Sequence, residues 1–508
     1  MNSAFCNTCE KIVPASVTER EGKMYLVKDC PDCGQTETLI SGDAERYLAK
    51  RQMDCGFEYR SCKLDCLNCK HSQHPTLIFV DITNRCNLNC PICINNTPSM
   101  GFLFEPPIEY FDKIFKHFST FDPRPAIQLF GGEPTVRDDL LDIVKLAKSY
   151  GLAARVVTNG VKLADPEYCR PFVDLRATML VSYDGKNPEI YEKMRGSAKL
   201  LDLKVKGIDN LDAMKGSKIV LMTLIARGFN DHELPDFFDF AHKRLHSIRA
   251  IYFMPLAHTW SPEDWDFEPE RTTTEDVENM IDEAFPDDHV EFLPAGFLGQ
   301  LQALLGALGV KPLPFVGAHP NCESMYLLFS NGEKYVPLSR FLKTPLADLT
   351  TALREANEKM VPHMPKSGKP TGLVRARAMA VLLGVLRRHI HLARLAKGKG
   401  IGKLYHVLAT LLGFAVRRKS RIVLERHTNV QSVLQIILLP FEDKSNIETD
   451  RLERCPAGFG FVDTRDDQVK WVPVCAWGLH KTRAMREIAD YYDKKSAAES
   501  TSAPAAES

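Results

Sequence analysis

At 508 residues, the chain is long enough for about two to four domains of ordinary size. Its 65 Lys and Arg residues balance 65 Asp and Glu residues, so no global electric field indicates a nucleic-acid partner. Its 15 cysteines are an odd number in a chain without a recognisable secretory signal, which excludes a disulfide framework and favours metal ligation in the cytoplasm.

The first 42 residues carry two Cys-x2-Cys pairs. The four thiols are those of Cys6, Cys9, Cys30 and Cys33. Paired cysteines at this separation are typical of a closed tetrahedral metal site, which predicts a small metal-binding module over residues 1–42. The spacing does not distinguish zinc from mononuclear iron, and it leaves a structural and an electron-transfer role both open. A second cysteine-rich segment follows over residues 43–75.

From residue 76 the sequence alternates apolar runs with amphipathic helices, which is the pattern of repeated βα units in a parallel sheet. In one predicted helix, Phe111, Ile114 and Phe118 share a face. We predict strands at residues 76–82, 126–130, 153–157, 177–182, 219–225 and 249–254. Six such units predict an α/β fold with a partial, open (β/α)6 barrel over residues 76–290.

Three cysteines follow the first predicted strand. Cys86, Cys90 and Cys93 have the spacing Cys-x3-Cys-x2-Cys, and they fall at the barrel mouth, where β/α barrels keep their active sites. Three thiolates are one short of the set that closes a [4Fe-4S] cluster, which leaves one iron open to a ligand. A zinc knuckle or three unrelated buried cysteines are the alternative interpretations.

Further motifs end the second, third and fourth predicted strands. The second ends in Gly131-Gly132-Glu133-Pro134, whose glycines would let the backbone approach a ligand closely. Asn159 follows the third strand, and Ser182 and Asp184 end the fourth, where they serve either a ligand or a turn. Arg195 is either a guanidinium that binds a carboxylate or a surface residue that caps a helix.

The remaining sequence divides by charge. Residues 258–292 contain thirteen Asp and Glu against a single Arg, which predicts a solvated helical cap. Residues 371–421 contain twelve Lys and Arg and no acid, interleaved with apolar runs, which predicts cationic amphipathic helices. We expect an α+β cluster-binding domain over residues 291–492 and a disordered Ala/Ser/Glu-rich tail over residues 493–508.

Together, the Cys86-to-Cys93 motif and the Gly-Gly-Glu-Pro element resemble the radical S-adenosylmethionine (SAM) superfamily. The resemblance implies a [4Fe-4S] cluster on the three cysteines, with SAM chelating the open iron and Ile92 packing near the adenine. It implies that the Gly-Gly-Glu-Pro element binds the SAM ammonium and that Arg195 pairs with the SAM carboxylate. It also implies that Asn159, Ser182 and Asp184 lie near the ribose and methionine. The implied reaction cleaves SAM reductively to a 5′-deoxyadenosyl radical, which abstracts hydrogen from an unactivated carbon.

Within that superfamily the chain resembles the tetraether lipid synthase group, which includes related radical SAM pterin methyltransferases. The resemblance rests on the paired Cys-x2-Cys module, His319-Pro320-Asn321-Cys322, Arg454-Cys455 and Val472-Pro473-Val474-Cys475. It implies a rubredoxin-like mononuclear iron or zinc site in the module and one or two auxiliary [4Fe-4S] clusters. We assign one auxiliary cluster to Cys62, Cys66 and Cys69 and the other to Cys322, Cys455 and Cys475.

The function that this resemblance implies is carbon–carbon coupling of lipid hydrocarbon tails. Two alternatives remain open: a radical SAM methyltransferase or other enzyme acting on a pterin-like small molecule, and a non-catalytic iron–sulfur electron carrier. A ferredoxin or flavodoxin is the expected reductant, and no nucleic-acid partner is expected. The basic segment supports a peripheral contact at the inner face of a membrane, because each Lys or Arg near an anionic bilayer contributes about 1 kcal/mol. A solvated helical face or an RNA-contacting patch is an equally good interpretation of the same residues.

Overall fold

The computed structural model describes residues 2–54, 62–69, 71, 73–95, 100–259, 269–310, 317–365, 370–415 and 420–502. Cys55 lies outside the described residues. Within them, the chain forms a four-stranded sheet at the N-terminus and a twelve-stranded sheet that organises the rest of the fold.

The N-terminal module is an antiparallel meander. Its strands are β1 (Ser3–Phe5), β2 (Ile12–Arg20), β3 (Lys23–Cys30) and β4 (Gly34–Ser41). Glu21 and Gly22 both have positive φ, as a two-residue hairpin turn between β2 and β3 requires. Helix α1 (Ala44–Gln52) follows, and its first turn is capped by the side chain of Asp43. Cys6 and Cys9 lie in the connection before β2, Cys30 ends β3, and Cys33 lies in the turn before β4.

Six parallel strands in sequential order confirm the partial barrel. They are β5 (Leu77–Thr83), β6 (Ala126–Gly131), β7 (Ala153–Thr158), β8 (Thr178–Ser182), β9 (Ile219–Ile225) and β10 (Ile248–Pro255). The helices between them are α2 (Ile108–Ser119), α3 (Leu140–Ser149), α4 (Pro166–Asp174), α5 (Pro188–Arg195), α6 (Leu200–Asp212) and α7 (Leu234–Lys243). Every residue of β5 is buried, as expected for a parallel strand covered on both faces.

The C-terminal residues extend the same sheet at both edges. Their strands are β11 (Leu293–Pro294), β12 (Ser324–Ser330), β13 (Tyr335–Pro337), β14 (Val433–Leu438), β15 (Ala457–Asp463) and β16 (Gln468–Pro473). β14 pairs in parallel with β10, and β15 pairs in parallel with β5. The C-terminal α+β region therefore shares the sheet of the barrel, because its apolar strands cover the two edges that an open barrel leaves unpaired.

In one helix of this region acidic residues are buried, so the prediction of a solvated acidic cap was wrong there. The helices of the region are α8 (Thr274–Glu283), α9 (Gln302–Leu308), α10 (Leu346–Met360), α11 (Gly372–His389), α12 (Leu392–Leu395), α13 (Gly400–Ala415), α14 (Ser420–His427), α15 (Thr449–Glu453) and α16 (Val474–Ser502). In α8, Glu275 and Glu278 are buried, and the buried Lys50 of α1 pairs with them at 2.7 and 2.6 Å. Local charge counts missed this pairing because the lysine lies 228 residues from Glu278.

The basic segment is helical, as predicted. Helix α11 packs Ala378, Val381 and Val385 against α9 and α10, whereas Leu373 at its start is 82% exposed. Among the helices of the described ranges, none combines the length and the apolar character that crossing a bilayer requires. The tail expected to be disordered from residue 493 is helical as far as Ser502, since its Ala and Glu residues favour continuation of an existing helix. Residues 503–508 lie outside the described part.

Candidate active site

The cysteine loop leaves the carboxyl end of β5 and borders a cavity at the barrel mouth. Cys86, Cys90 and Cys93 all line this cavity. In the described residues, only the four N-terminal cysteines have all their ligand atoms within 4.8 Å of one another, so the three loop thiols are spaced more widely than the ligands of a single ion. A cluster that binds each thiolate through a different iron needs this wider spacing, and the loop therefore fits the expected group.

The carboxyl ends of the barrel strands form the cavity wall. The empty space in and at the open mouth of the cavity is about 1060 Å³, part of which is open solvent. Met222, Leu224, Met254 and Leu256 line one side, and Phe441 joins them from the segment after β14. The site therefore combines one polar, cysteine-bearing side with one apolar side.

Gly131 and Gly132 line the cavity, but the reason for glycine differs from the prediction. A Cβ atom at Gly131 would lie 2.2 Å from the Thr83 carbonyl oxygen, and one at Gly132 would lie 2.2 Å from that of Arg85. The same two carbonyls accept hydrogen bonds of 2.8 Å from the backbone N–H groups of Gly132 and Glu133. The glycines thus leave room for the Thr83 and Arg85 carbonyl oxygens at the start of the cysteine loop.

Glu133 joins the ends of two strands. Its buried carboxylate accepts hydrogen bonds from Thr135 Oγ1 at 2.6 Å, Thr158 Oγ1 at 2.7 Å and the Asn159 N–H at 2.6 Å. Asn159 in turn donates from Nδ2 to Asn87 Oδ1 of the cysteine loop at 2.7 Å. These bonds fix the ends of β6 and β7 against the loop, which explains why Glu133 and Asn159 matter to its geometry.

Arg195 is neither a surface residue nor a helix cap. Its guanidinium binds the buried Asp184 with two hydrogen bonds of 2.8 and 2.9 Å, and the backbone N–H of Gly196 caps the C-terminal end of α5. Although burial favours the neutral acid, the charge of Arg195 holds the pKa of Asp184 below its ordinary value. Arg195 lines the cavity beside Cys90. Both carboxylate oxygens of Asp184 therefore bind Arg195, so Asp184 acts on the site by orienting the guanidinium.

Ser182 and Ile92 also line the cavity. Lys204, which is buried, donates hydrogen bonds to the hydroxyl of Ser182 and, at 3.1 Å, to its carbonyl oxygen. Burial lowers the pKa of Lys204 to about 8. Ile92 packs against Ile190 and Met194 of α5, so the apolar residue before the third cysteine anchors the loop to that helix.

The four N-terminal cysteines converge on one point. The Sγ atoms of Cys9 and Cys30 lie 3.6 Å apart, and the set also includes Cys6 and Cys33. Backbone N–H groups of Cys9 and Thr8 are directed at the sulfur of Cys6 and lower the pKa of that thiol to about 6. Four converging thiols, one already favouring the thiolate, fit a tetrahedrally coordinated divalent metal.

Cys62, Cys66 and Cys69 form a second group, in a turn beside α15. Burial raises the pKa of Cys66 to about 12, and the charges of Cys62 and Cys69 add to this effect, which places the three thiols near one another. Glu453 of α15 accepts a hydrogen bond of 3.3 Å from the Cys62 N–H. The structure therefore brings together the three residues assigned to the first auxiliary cluster.

Cys322, Cys455 and Cys475 come from distant parts of the sequence and meet in the interior. Burial raises the pKa of all three thiols, to about 11 for Cys322, and the charge of Cys322 raises the other two further. The Glu442 N–H donates to Cys475 Sγ at 3.4 Å. In contrast, Cys169 is a core residue whose Sγ donates to the Leu163 carbonyl at 3.3 Å. The second assigned group is thus also assembled.

Helix α16 contributes residues that the sequence analysis missed. Trp477 Nε1 donates to Asp81 Oδ2 at 2.7 Å, and the buried Lys481 donates to Asn95 Oδ1 at 2.5 Å. Asn95, at the end of the cysteine loop, donates in turn to the Gly131 carbonyl. The signal in the sequence was the i, i+4 spacing of Trp477 and Lys481 directly after the last cysteine, which puts both on one helical face.

Two family models match the chain. One, described as the radical SAM superfamily, matches residues 80–241, and the other, the HMPTM N-terminal zinc ribbon domain, matches residues 2–42. The first match starts in β5 and ends in α7, and it therefore covers the cysteine loop and the polar side of the cavity. The second coincides with the meander that carries the four converging thiols.

Individual relatives match over different lengths. The 7,8-dihydro-6-hydroxymethylpterin dimethyltransferase of Methanocaldococcus jannaschii is 28% identical over 94% of this chain and 93% of that protein. The GTP 3′,8-cyclase of Nautilia profundicola is 34% identical over 35% of this chain and 56% of the cyclase. Among solved structures, Streptococcus suis SuiB bound to S-adenosylmethionine covers 51% of this chain and 64% of that chain, at 13% identity and a TM-score of 0.31. The first match extends through the N-terminal module, the barrel and the C-terminal region.

Proposed function

The chain belongs to the radical SAM superfamily, and from this premise we propose that it is a methyltransferase acting on a pterin-like small molecule. The observation that supports this proposal is the similarity to a pterin dimethyltransferase over 94% of the chain, which includes both ends as well as the barrel. Sequence analysis put the coupling of lipid tails first. The length of this similarity favours the pterin alternative over it.

In this proposal Cys86, Cys90 and Cys93 would hold the [4Fe-4S] cluster, with a ferredoxin or flavodoxin as the reductant. The cluster and SAM, when bound, would supply the radical chemistry that removes hydrogen from an unactivated carbon. The chain itself holds the loop in place through Gly132, whose N–H is bonded to the Thr83 carbonyl. It also excludes water on the apolar side of the cavity, which protects a reactive species from side reactions.

We assign the polar side of the cavity to SAM. Arg195 would bind the SAM carboxylate, because a guanidinium fork matches a carboxylate and Asp184 already fixes its orientation. The carbonyl of Gly131 accepts from Asn95, so other carbonyls of the Gly-Gly-Glu-Pro element would receive the SAM ammonium. Asn159 and Ser182 would lie near the ribose and methionine, and Ile92 near the adenine.

The apolar side of the cavity would receive the substrate. Phe441 offers a flat surface and Met254 a polarisable one, and both suit a planar heteroaromatic ring. No charged side chain is among the residues of this side within the described part of the cavity lining. A pterin ring therefore fits this surface better than a charged headgroup.

We propose that the N-terminal metal is structural. The module holds the segment 442–449: the buried Lys28 of β3 donates to the Ser445 carbonyl, and Asn2 Nδ2 donates to Glu448 Oε2 at 2.5 Å. That segment continues directly from Phe441 in the cavity wall. Because a bound metal contributes folding energy to a small module of this kind, it would keep the wall in place. The two internal cysteine groups would hold the auxiliary clusters.

A lipid substrate remains the second candidate function. It is supported by the exposed apolar side chains of Leu373, Tyr405 and Leu408, which lie in a segment of twelve cations and no acids between residues 371 and 421. Cationic segments with exposed apolar residues bind anionic lipid surfaces peripherally. This contact would bring the protein to the membrane, where a lipid tail could enter the cavity.

The experiment that tests the proposal supplies deuterated substrate to anaerobically reconstituted protein with reductant and SAM. We expect deuterium from a deuterated 6-hydroxymethyl-7,8-dihydropterin to appear in 5′-deoxyadenosine, together with a methylated pterin. The variant C86A/C90A/C93A, as the control, is expected to form neither product. Transfer of deuterium from membrane lipid and none from the pterin would overturn the proposal in favour of lipid coupling. Absence of 5′-deoxyadenosine from fully iron-loaded protein would favour the electron carrier.

A further inference from the structure

The second cysteine group lies beside a segment of the active-site wall. Burial raises the pKa of Cys322, Cys455 and Cys475, and the charge of Cys322 raises the pKa of the other two further, so the three thiols are near one another. Each of these cysteines keeps some accessible surface. The Glu442 N–H donates to Cys475 Sγ, and the preceding residue, Phe441, lines the cavity, so one segment connects the cysteine group with the cavity.

Arg451 of α15 is the cation beside these cysteines. Its Nη1 pairs with Glu442 Oε1 at 2.9 Å, and its charge and its hydrogen bonding act against the burial that raises the pKa of Cys322. Its Nε and Nη2 atoms are buried and make no hydrogen bond of ordinary geometry among the described residues. Buried guanidinium donors without acceptors are costly, so an anionic acceptor beside Cys322 would stabilise the arrangement.

An iron–sulfur cluster is such an acceptor. The sulfurs of a cluster accept hydrogen bonds, and a cluster bound by three thiolates places negative charge in the interior, where an unpaired charge is unfavourable. Glu442 does not accept from all the guanidinium donors, because it pairs with Nη1 and leaves Nε and Nη2 without a hydrogen-bond partner among the described residues. The donors of Arg451 and the three thiols therefore complement one bound group.

We propose that Arg451 donates hydrogen bonds to an auxiliary iron–sulfur cluster on Cys322, Cys455 and Cys475 and raises its reduction potential, with Glu442 as its positioning partner and counter-charge. The inference rests on the part of the proposed function that places a cluster on these cysteines. Hydrogen bonds to cluster sulfur and nearby positive charge stabilise the reduced state, whereas a nearby carboxylate destabilises it. Arg451 and Glu442 thus act on the potential in opposite directions.

The test is a redox titration of the auxiliary signals by electron paramagnetic resonance, in the C86A/C90A/C93A background, which removes the SAM-binding cluster. We expect R451Q to move the midpoint potential of one auxiliary centre to more negative values and R451K to move it less. We expect E442Q to move it to more positive values. Arg244→Gln, which changes an arginine that pairs with the half-exposed Asp209 of α6, should leave it unchanged.

Two outcomes would overturn the inference. One is an unchanged potential in both R451Q and E442Q at full iron content, and the other is equal iron and sulfide content in Cys322→Ser and unsubstituted protein. If R451Q loses iron, its potential no longer reports on the cluster. The opposite shifts of potential expected for R451K and E442Q then test the inference. The titration uses no pterin and is therefore independent of the substrate. The expected shifts, together with no pterin methylation by the unsubstituted protein in the deuterium experiment, would contradict the proposed substrate and still support the role of Arg451.

Discussion

The chain binds metal through cysteines in two regions that differ in geometry. The N-terminal module brings four thiols within 4.8 Å of one another, a closed set with no position left for a ligand. The loop after β5 brings three thiols to the wall of an open cavity. A closed ligand set is typical of a structural metal site, whereas a catalytic site keeps one position open. In the proposed function the same residue type therefore has two roles, set by the number of ligands and by access.

The two regions also differ in what holds them. Local hairpins position the N-terminal cysteines, whose loops belong to one meander of about forty residues. Residues far along the chain position the catalytic loop, including Gly132, Asn159 and Lys481, the last through Asn95. The module should therefore form largely on its own, whereas the loop should depend on the whole barrel.

The largest expected effect is the loss of SAM cleavage on removing the loop thiols. C86A/C90A/C93A should abolish 5′-deoxyadenosine formation, because no other thiols face the cavity in the described residues. The N-terminal metal should remain at one equivalent, measured by elemental analysis. Formation of 5′-deoxyadenosine above background in this variant would contradict the assignment of SAM cleavage to the loop thiols.

Removal of the N-terminal metal should lower the stability of the protein more than it affects SAM cleavage. Cys9→Ser should release that metal and lower the unfolding free energy of the module by several kcal/mol, because a structural site contributes its binding energy to folding. Iron bound at the other sites should persist, and limited proteolysis should cut first within residues 2–42. Loss of the SAM-binding cluster in Cys9→Ser, with the N-terminal module still folded, would contradict a structural role for the N-terminal metal.

Asp184→Asn should be the costliest single substitution in the barrel mouth. It leaves the Arg195 charge buried without its partner, at a cost of about 3–5 kcal/mol in chemical denaturation. Asp209→Asn, the same substitution at an exposed ion pair with Arg244, should change stability by less than about 1 kcal/mol. Equal effects of the two substitutions would contradict a buried supporting role for Asp184.

Gly132→Ala should disturb the catalytic loop and leave the N-terminal module unaffected. The added Cβ would meet the Arg85 carbonyl at 2.2 Å, and displacing that backbone should cost about 1–3 kcal/mol and lower the 5′-deoxyadenosine yield. Gly384→Ala in α11, where no atom lies within 4 Å of the new Cβ, is the matched control and should be neutral or stabilising. Full activity in Gly132→Ala would exclude the close packing described for this position.

Cys169→Ala should have the smallest effect. This thiol is bonded to a backbone carbonyl in the core, so the substitution should cost about 1 kcal/mol in denaturation. Iron and sulfide contents should equal those of the unsubstituted protein. A loss of iron in this variant would make Cys169 a ligand and would require a different division of the cysteines.

The sequence was sufficient where the signal is local. The apolar runs predicted all six barrel strands to within one residue at each end, and the spacing of the two Cys-x2-Cys pairs predicted that the four N-terminal thiols would converge. It was insufficient where partners are distant: Glu278 is neutralised by Lys50, 228 residues away, and β14 and β15 join the edges of the barrel sheet. Arg195 and Glu133 show the same limit, because their partners become neighbours only in the folded barrel.

The most direct test of the central distinction is the response of the reduced clusters to SAM, followed by electron paramagnetic resonance. The spectrum should change on addition of SAM in the unsubstituted protein and in Cys9→Ser, because the open site at Cys86, Cys90 and Cys93 is retained in both. It should not change in C86A/C90A/C93A. A SAM-dependent change that persists without the loop cysteines, or that is lost in Cys9→Ser at full cluster content, would contradict the account.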